Sequence, residues 1–296
     1  MKAPWLDRAG RFSALKAVTL ALVALPAILL AFQWTVFGLG PRPIREATHD
    51  TGDWAIRLVM ITLAVTPFRR ILDWSRLINI RRMLGLAALG YASVHLFLYF
   101  VDQNFVLPTI VSEIAIRIYL TIGFAALVGL VTLGVTSTDA AIKRLGRKWV
   151  TLHKLIYVIA ALALIHDFMQ TKLDVTKAVL LTGYYFWLMG FRAFRRFEPN
   201  AGPLFLSALA VGATVATALA EALWYAISTG VDPTRVFLAD LDFSFEIRPA
   251  WWVLGAGLAV LLLQVVWRIF APKKGKRKPV GGSDRRLVTS LSSEPG

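Results

Sequence analysis

The chain has 296 residues, 57% of them hydrophobic and only 17% charged, a balance that excludes an ordinary soluble domain and marks an integral membrane protein. It has no cysteine, which excludes disulfides, cysteine-held iron–sulfur clusters and covalently attached c-type haem. The net charge of +15 would suggest nucleic acid in a soluble protein, but the basic residues here lie between apolar runs, where membrane topology accounts for them, so no nucleic-acid partner is expected.

Residues 1–14 are polar and basic, with Lys2, Arg8 and Arg11. The first apolar span, 15–37, is longer than the core of a secretion signal and reads as a retained helix. A loop with Gly38, Gly40, Pro41 and Pro43 follows and is expected to continue through His49, Asp50 and Asp53. The second span, 54–68, is short and carries Arg57 near its start; a basic loop comes next, with Arg69, Arg70, Arg76, Arg81 and Arg82. The third span, 83–101, carries His95. The fourth, 113–135, is expected to be one helix with Arg117 near its start.

Lys143, Arg144, Arg147 and Lys148 lead into the fifth span, 150–169, which holds His153 and His166. The sixth, 176–194, ends in Arg192, Arg195 and Arg196. The seventh, 204–228, contains Glu221, which nothing in the sequence explains. A polar loop then leads to the eighth span, 250–270. The tail 272–296 is basic, then rich in Gly and Ser, and is expected to be disordered, its lysines touching anionic lipid.

With the N-terminus in the cytoplasm, most of the 33 Lys and Arg fall on the cytoplasmic side at alternate loops. That predicts eight spans with both termini cytoplasmic. The expected fold is therefore an all-α membrane bundle. No sequence repeat relates its halves.

Ionisable groups at membrane depth are costly and usually face the bundle interior. The third and fifth helices run in the same direction, and His95 and His166 both lie toward their outer ends. At ~1.5 Å of rise per residue their depths match within a few ångströms. Two imidazoles at one depth can grip a haem iron from both faces. The alternatives are interhelical hydrogen bonds or a metal ion other than haem.

His153 lies 13 residues before His166, about 140° around an ideal helix at ~100° per residue, so the two do not share a face. The position equally far before His95 is Arg82. A second bis-histidine haem would lack its partner, which favours a different inner cofactor. Arg81, Arg82, Arg147 and Lys148 are candidate contacts for its anionic group, a flavin phosphate for example, or are simply topological charges. Arg57 and Arg117, near haem depth, are candidates for the haem propionates or for snorkelling to the interface. His49 reads as a surface histidine.

The segments TGDWAIRLVMITLAVTPFRR (51–70), RRMLGLAALGYASVHLFLYF (81–100) and LGRKWVTLHKLIYVIAALALIHDF (145–168) resemble the haem-binding membrane subunit of the periplasmic methionine-sulfoxide reductase system, the MsrQ/YedZ family. That family lies within the wider ferric-reductase-like transmembrane group. The resemblance covers about 12–197. It implies a six-helix haem-b core at 15–197, an FMN, and an inner-membrane location. It also implies electrons passing from the quinone pool or a cytoplasmic flavin reductase to a periplasmic molybdopterin-containing methionine-sulfoxide reductase. His95 and His166 carry over as haem ligands, and His153 as a family histidine.

NADPH oxidases of the same group carry two histidines on each of two helices, whereas the third span here has one. They also carry a large nucleotide-binding domain, and here a short tail follows the last span, so hydride uptake from NAD(P)H unaided is not expected. The chain reads as an electron-transfer subunit without a complete catalytic site of its own. A self-contained ferric or quinone reductase, or a b-type cytochrome of the same fold, is the alternative. The segment 198–271 is an additional helix pair outside the resemblance.

Overall fold

The computed structural model describes residues 3–6, 9–171, 174–195, 197, 201–244 and 246–270, and the tail expected to be disordered lies outside them. Among the described residues the regular structure is helical, apart from one isolated bridge between Leu6 and Phe12. Among the described residues six helical stretches are each long and apolar enough to cross a membrane. Two further long helices, described below as α2 and α9, bring the bundle to the eight expected from the sequence.

Helix α1, Ala14–Val36, contains Pro26. Beside this proline the side chain of Tyr91 enters the helix ladder: its Oη donates to Val23 O at 2.8 Å and accepts from Ala27 N at 3.0 Å. A side chain inserted next to a proline is an ordinary cause of a helix bend, and here it also ties α1 to the third helix.

Helix α2, Pro43–Ile71, is much longer than the expected span 54–68, and His49, Asp50 and Asp53 lie on it rather than in a loop. Pro43 in the first turn has no N–H to lose there and starts the helix. Thr48, Thr51 and Thr62 return their hydroxyls to carbonyls one turn back, at 2.7 Å each, so their polar groups are satisfied within the helix. α2 is also sheathed by its neighbours, with Ala47, Leu58, Val59 and Leu63 all buried. A helix enclosed in this way need not be apolar on every face, which is why its sequence reads as a weak span.

A 3-10 turn, Ser75–Ile80, leads to α3, Arg81–Asp102, which packs along most of α2. The expected continuous fourth span is broken. Helix α4, Leu107–Ile116, ends at Arg117, whose φ of −89° and ψ of 104° are extended, and α5 continues as Ile118–Val135. The Thr121 hydroxyl bridges the break by donating to Ile114 O at 2.6 Å. A short helix α6 (Asp139–Leu145) precedes the fifth span, which is itself segmented into α7 (Arg147–Leu152) and α8 (Leu155–Gln170). Thr138 caps α6 by accepting from Ala141 N, and Gly146, at φ +51°, turns the chain into α7.

Helix α9, Thr176–Phe194, is followed by α10, Pro203–Thr229, α11, Pro233–Ala239, and α12, Pro249–Phe270. α9, α10 and α12 pack against one another, and Leu206, Ala213 and Val253 share one buried core with residues of α2, α5 and α8. Close approach there depends on Gly183, where a Cβ would lie 2.4 Å from both Thr217 Oγ1 and Val253 Cγ2. Small residues of this kind let membrane helices meet backbone to backbone. Gly183→Ala is expected to destabilise the protein by about 1–3 kcal/mol through overpacking, read as a lower thermal midpoint in detergent. An unchanged midpoint would show that the three helices can separate at little cost.

Candidate functional site

Helices α2, α3, α5 and α8 enclose a cavity of about 420 Å³ that opens at one end of the bundle. That size is in the range of cofactor and ligand pockets, ~300–1,000 Å³. His95 enters it from α3 and His166 from α8.

The two histidines are held alike. His95 Nδ1 lies 2.8 Å from Thr48 O on α2, and His166 Nδ1 lies 2.8 Å from Tyr119 O on α5. A carbonyl oxygen only accepts, so each Nδ1 carries the proton and each Nε2 keeps its lone pair. The ring centroids are 6.3 Å apart and the ring planes are crossed at 83°. Two metal–imidazole bonds of ~2 Å laid end to end, with the ring radii added, account for that separation.

Among the described residues no group of three or more His, Cys, Asp or Glu side chains is placed to hold a metal ion. Two imidazoles alone leave a metal under-coordinated. A tetrapyrrole supplies the four remaining in-plane ligands itself, so this donor set fits haem and not a bare ion.

Around the histidines the lining is apolar, with Ile56, Val59, Leu127, Leu130 and Ile159; the polar lining carries both cations, Arg45 and Arg117, and acids, Asp53, Asp102, Glu113 and Asp167. Tyr99 also lines the cavity, and its buried Oη has no hydrogen-bond partner. An apolar chamber with two arginines and the unpartnered Tyr99 hydroxyl in its lining suits a flat apolar macrocycle whose acidic substituents those groups could meet.

The structure distributes the other sequence candidates unevenly. Arg117 lines the mouth and pairs with Glu113. Arg57 is not among the lining residues: it pairs with Asp53 at 3.4 Å and lies over the Trp54 ring at 5.0 Å, and Asp53 is shared with Lys177 at 2.9 Å.

His153 lies at the junction of α7 and α8, away from the cavity. Its ring stacks on Trp149 with centroids 3.9 Å apart, its Nδ1 is 3.1 Å from Trp149 O, and its Nε2 is 3.4 Å from Ser137 Oγ. No second histidine stands opposite it, because His49, His95 and His166 all line the distant cavity. Arg82 makes an exposed pair with Asp139 at 2.7 Å, Arg81 is half-buried, and Arg147 and Lys148 are exposed. Nearby, Arg192 donates to the carbonyls of Leu63 and Leu188 and lies over Tyr157 at 5.4 Å.

Glu221, unexplained by sequence, is almost fully buried and pairs with Arg248, which also reaches Asp240 at 3.5 Å and Glu246 at 2.8 Å. Sequence reasoning passed over Gly52, Gly123, Arg45, Tyr99 and the two acceptor carbonyls. No sequence signal marks the carbonyls; in the structure each acceptor precedes its histidine by 47 residues.

Residues 51–164 match the family model for the ferric reductase like transmembrane component, a stretch that takes in Gly52, His95, Gly123 and His153 and stops just short of His166. A protein of Xanthomonas campestris pv. campestris (strain 8004), named protein-methionine-sulfoxide reductase heme-binding subunit MsrQ, is 43% identical over 190 residues, covering 62% of this chain and 87% of the relative. Proteins of the same name from Xanthomonas axonopodis pv. citri (strain 306) and Herminiimonas arsenicoxydans are each 40% identical, over 190 and 186 residues, covering 62% and 58% of this chain and 87% and 85% of the relative. No solved structure matches the chain. Helices α10 to α12 lie outside the matched family model.

Proposed function

Because this chain belongs to the MsrQ family of haem-binding methionine-sulfoxide reductase subunits, within the ferric-reductase-like membrane proteins, we propose that it carries single electrons across the bacterial inner membrane to a periplasmic methionine-sulfoxide reductase. It is a multi-pass membrane protein and an electron-transfer subunit. The observation that carries the finer reading is the pair of lone-pair nitrogens, His95 Nε2 and His166 Nε2, facing one cavity from two helices.

On this reading His95 and His166 would hold a b-type haem between them, and Arg45, Arg117 and Tyr99 would receive its propionates. When bound, haem supplies a one-electron carrier. The residues around it do the rest. The Nδ1–H bonds to Thr48 O and Tyr119 O set the tautomer and raise the basicity of each ligand nitrogen. The apolar walls exclude water. Two protein imidazoles would leave a bound haem no free position for oxygen or substrate, which suits relay of electrons over chemistry on a bound molecule.

The donor enters at the opposite, basic end. We place a quinol or a cytoplasmic flavin reductase there as the source of electrons, and an FMN whose phosphate meets Arg147 and Lys148, with Arg81 and Arg82 beside them. The exposure of Arg147 and Lys148 supports this, while Arg82 is partly neutralised by Asp139. His153 stacks at this end beside Trp149 and serves the donor side. The cavity mouth then faces the periplasm, where a molybdopterin-containing catalytic subunit docks, and both termini are cytoplasmic. Residues 15–197 form the haem-bearing unit and 198–271 brace it.

The test is the haem and flavin content of purified protein, followed by mixing with the catalytic subunit. We expect one low-spin b haem per chain, reduced by one electron and reoxidised by the catalytic subunit. Colourless protein would overturn the proposal. Rapid reduction of a soluble ferric chelate with no partner would instead support a self-contained reductase.

A further inference from the structure

The two histidine seats are copies of one device. On α2 the acceptor carbonyl is Thr48, and Gly52 follows one helical turn later; on α5 the acceptor is Tyr119, and Gly123 follows one turn later. A Cβ at Gly52 would lie 2.8 Å from His95 Nδ1 and 3.0 Å from its Cε1. A Cβ at Gly123 would lie 2.7 Å from His166 Nδ1 and 2.8 Å from its Cε1. Real Cβ atoms do not approach this closely, so each glycine is the floor on which its imidazole rests. The flanking sequences differ, yet acceptor, glycine and histidine recur at the same separations, with both glycines inside helices, where alanine is intrinsically the better residue.

Each imidazole is thus fixed twice, by its Nδ1–H bond and by the flat glycine surface beneath it. The two seats are turned so that the rings cross at 83°. We propose that Gly52 and Gly123 are positioning residues that hold the two axial imidazoles crossed, and so set the electronic state and reduction potential of the iron they grip. This rests on the haem reading above.

The physical link is orbital overlap. Parallel imidazoles donate into the same iron d orbital and split the pair; crossed imidazoles donate one into each and leave the pair nearly degenerate. Near-degeneracy gives a low-spin ferric signal with one very large g value, whereas parallel rings give an ordinary rhombic signal. An alanine methyl under one ring pushes it off its carbonyl. The Nδ1–H bond then lengthens, the ligand becomes less electron-rich, and the ring turns toward its partner's plane.

The experiment is electron paramagnetic resonance and redox titration of the purified haem protein as wild type, Gly52→Ala, Gly123→Ala and Gly90→Ala. Gly90 is the control, since nothing lies within 4 Å of a Cβ built there. We expect a large-g signal in wild type and Gly90→Ala. In Gly52→Ala and Gly123→Ala it should move to a rhombic form with a higher midpoint potential, and haem affinity should fall by ~10–100-fold, as is typical when an outer-shell partner is lost. If either variant fails to fold, the other reports on an equivalent seat. A rhombic wild-type signal, or unchanged signals and potentials in both seat variants, overturns the positioning proposal but leaves the haem reading intact. Loss of that reading would show separately, as absence of haem from the wild type.

Discussion

Replacing either His95 or His166 with alanine is expected to abolish the low-spin b-type spectrum, whereas His153→Ala is expected to keep it. Each imidazole faces the shared cavity with a lone-pair Nε2, and among the described residues no group of three or more His, Cys, Asp or Glu side chains is placed to hold a metal ion in its stead. Loss of an outer-shell partner typically costs ~10–100-fold in metal affinity, and loss of a ligand costs more. Haem content per chain should therefore fall by over tenfold, and any residue should be five-coordinate and high-spin. His153 stacks on Trp149 at the other end of the bundle, so its removal leaves the iron's environment unchanged. Persistence of a full low-spin signal in His95→Ala or His166→Ala would falsify the ligand assignment. Its loss in His153→Ala would place the haem at the wrong end of the bundle.

Arg248→Ala should be the most destabilising single change outside the haem cavity. The side chains of Glu221 and Asp240 are 1% and 4% exposed, and that of Arg248, the cation between them, is 20% exposed. Even with Arg248 present, Glu221 Oε2 and Asp240 Oδ2 have no partners. Deleting the arginine strands two buried carboxylates, a change that costs about 3–5 kcal/mol when one partner of a buried pair is removed. Glu221→Gln added to Arg248→Ala should recover part of the loss, because an amide carries no charge to desolvate.

The pH dependence has a definite sign. Burial raises the Asp240 carboxyl above its ordinary value, with Arg248 opposing the rise. A carboxyl with a raised folded pKa binds protons more readily folded than unfolded, so acidification between the two values favours the fold. The Arg248→Ala deficit should therefore shrink as pH falls from neutral toward that raised pKa. Thermal unfolding in detergent at several pH values reads all of this. A stability within about 1 kcal/mol of wild type would mean that the cluster behaves like an exposed ion pair, such as Arg82–Asp139, whose side chains are 47% and 84% exposed.

The sequence marked the long apolar helices because hydropathy is a property of consecutive residues, and a span of roughly 20 apolar residues is legible without its neighbours. It also singled out His95 and His166, because an ionisable side chain inside an apolar run needs a partner wherever it lies. Equal depth followed from counting residues along helices of known rise. The weaker readings had a common cause. α2 looked short because its polar residues were judged against lipid, when in fact neighbouring helices enclose it. The break at Arg117 was hidden because Thr121, which satisfies the freed carbonyl of Ile114, looks in sequence like any helical threonine. Arg57 and Arg117 looked equivalent in depth, yet only Arg117 lines the cavity, since Asp53 and Trp54 engage Arg57.

By itself the sequence determined the class of the molecule, marked its long apolar helices, and singled out the two histidines and the family they resemble. Tertiary structure alone decided which carbonyl each Nδ1 meets, which glycine lies beneath each ring, the angle at which the rings cross, and the union of Glu221 with Arg248. The reason is that hydrophobic length and helical rise are local, whereas the satisfaction of a buried polar atom depends on which other helix stands beside it, and that partner can be dozens of residues away.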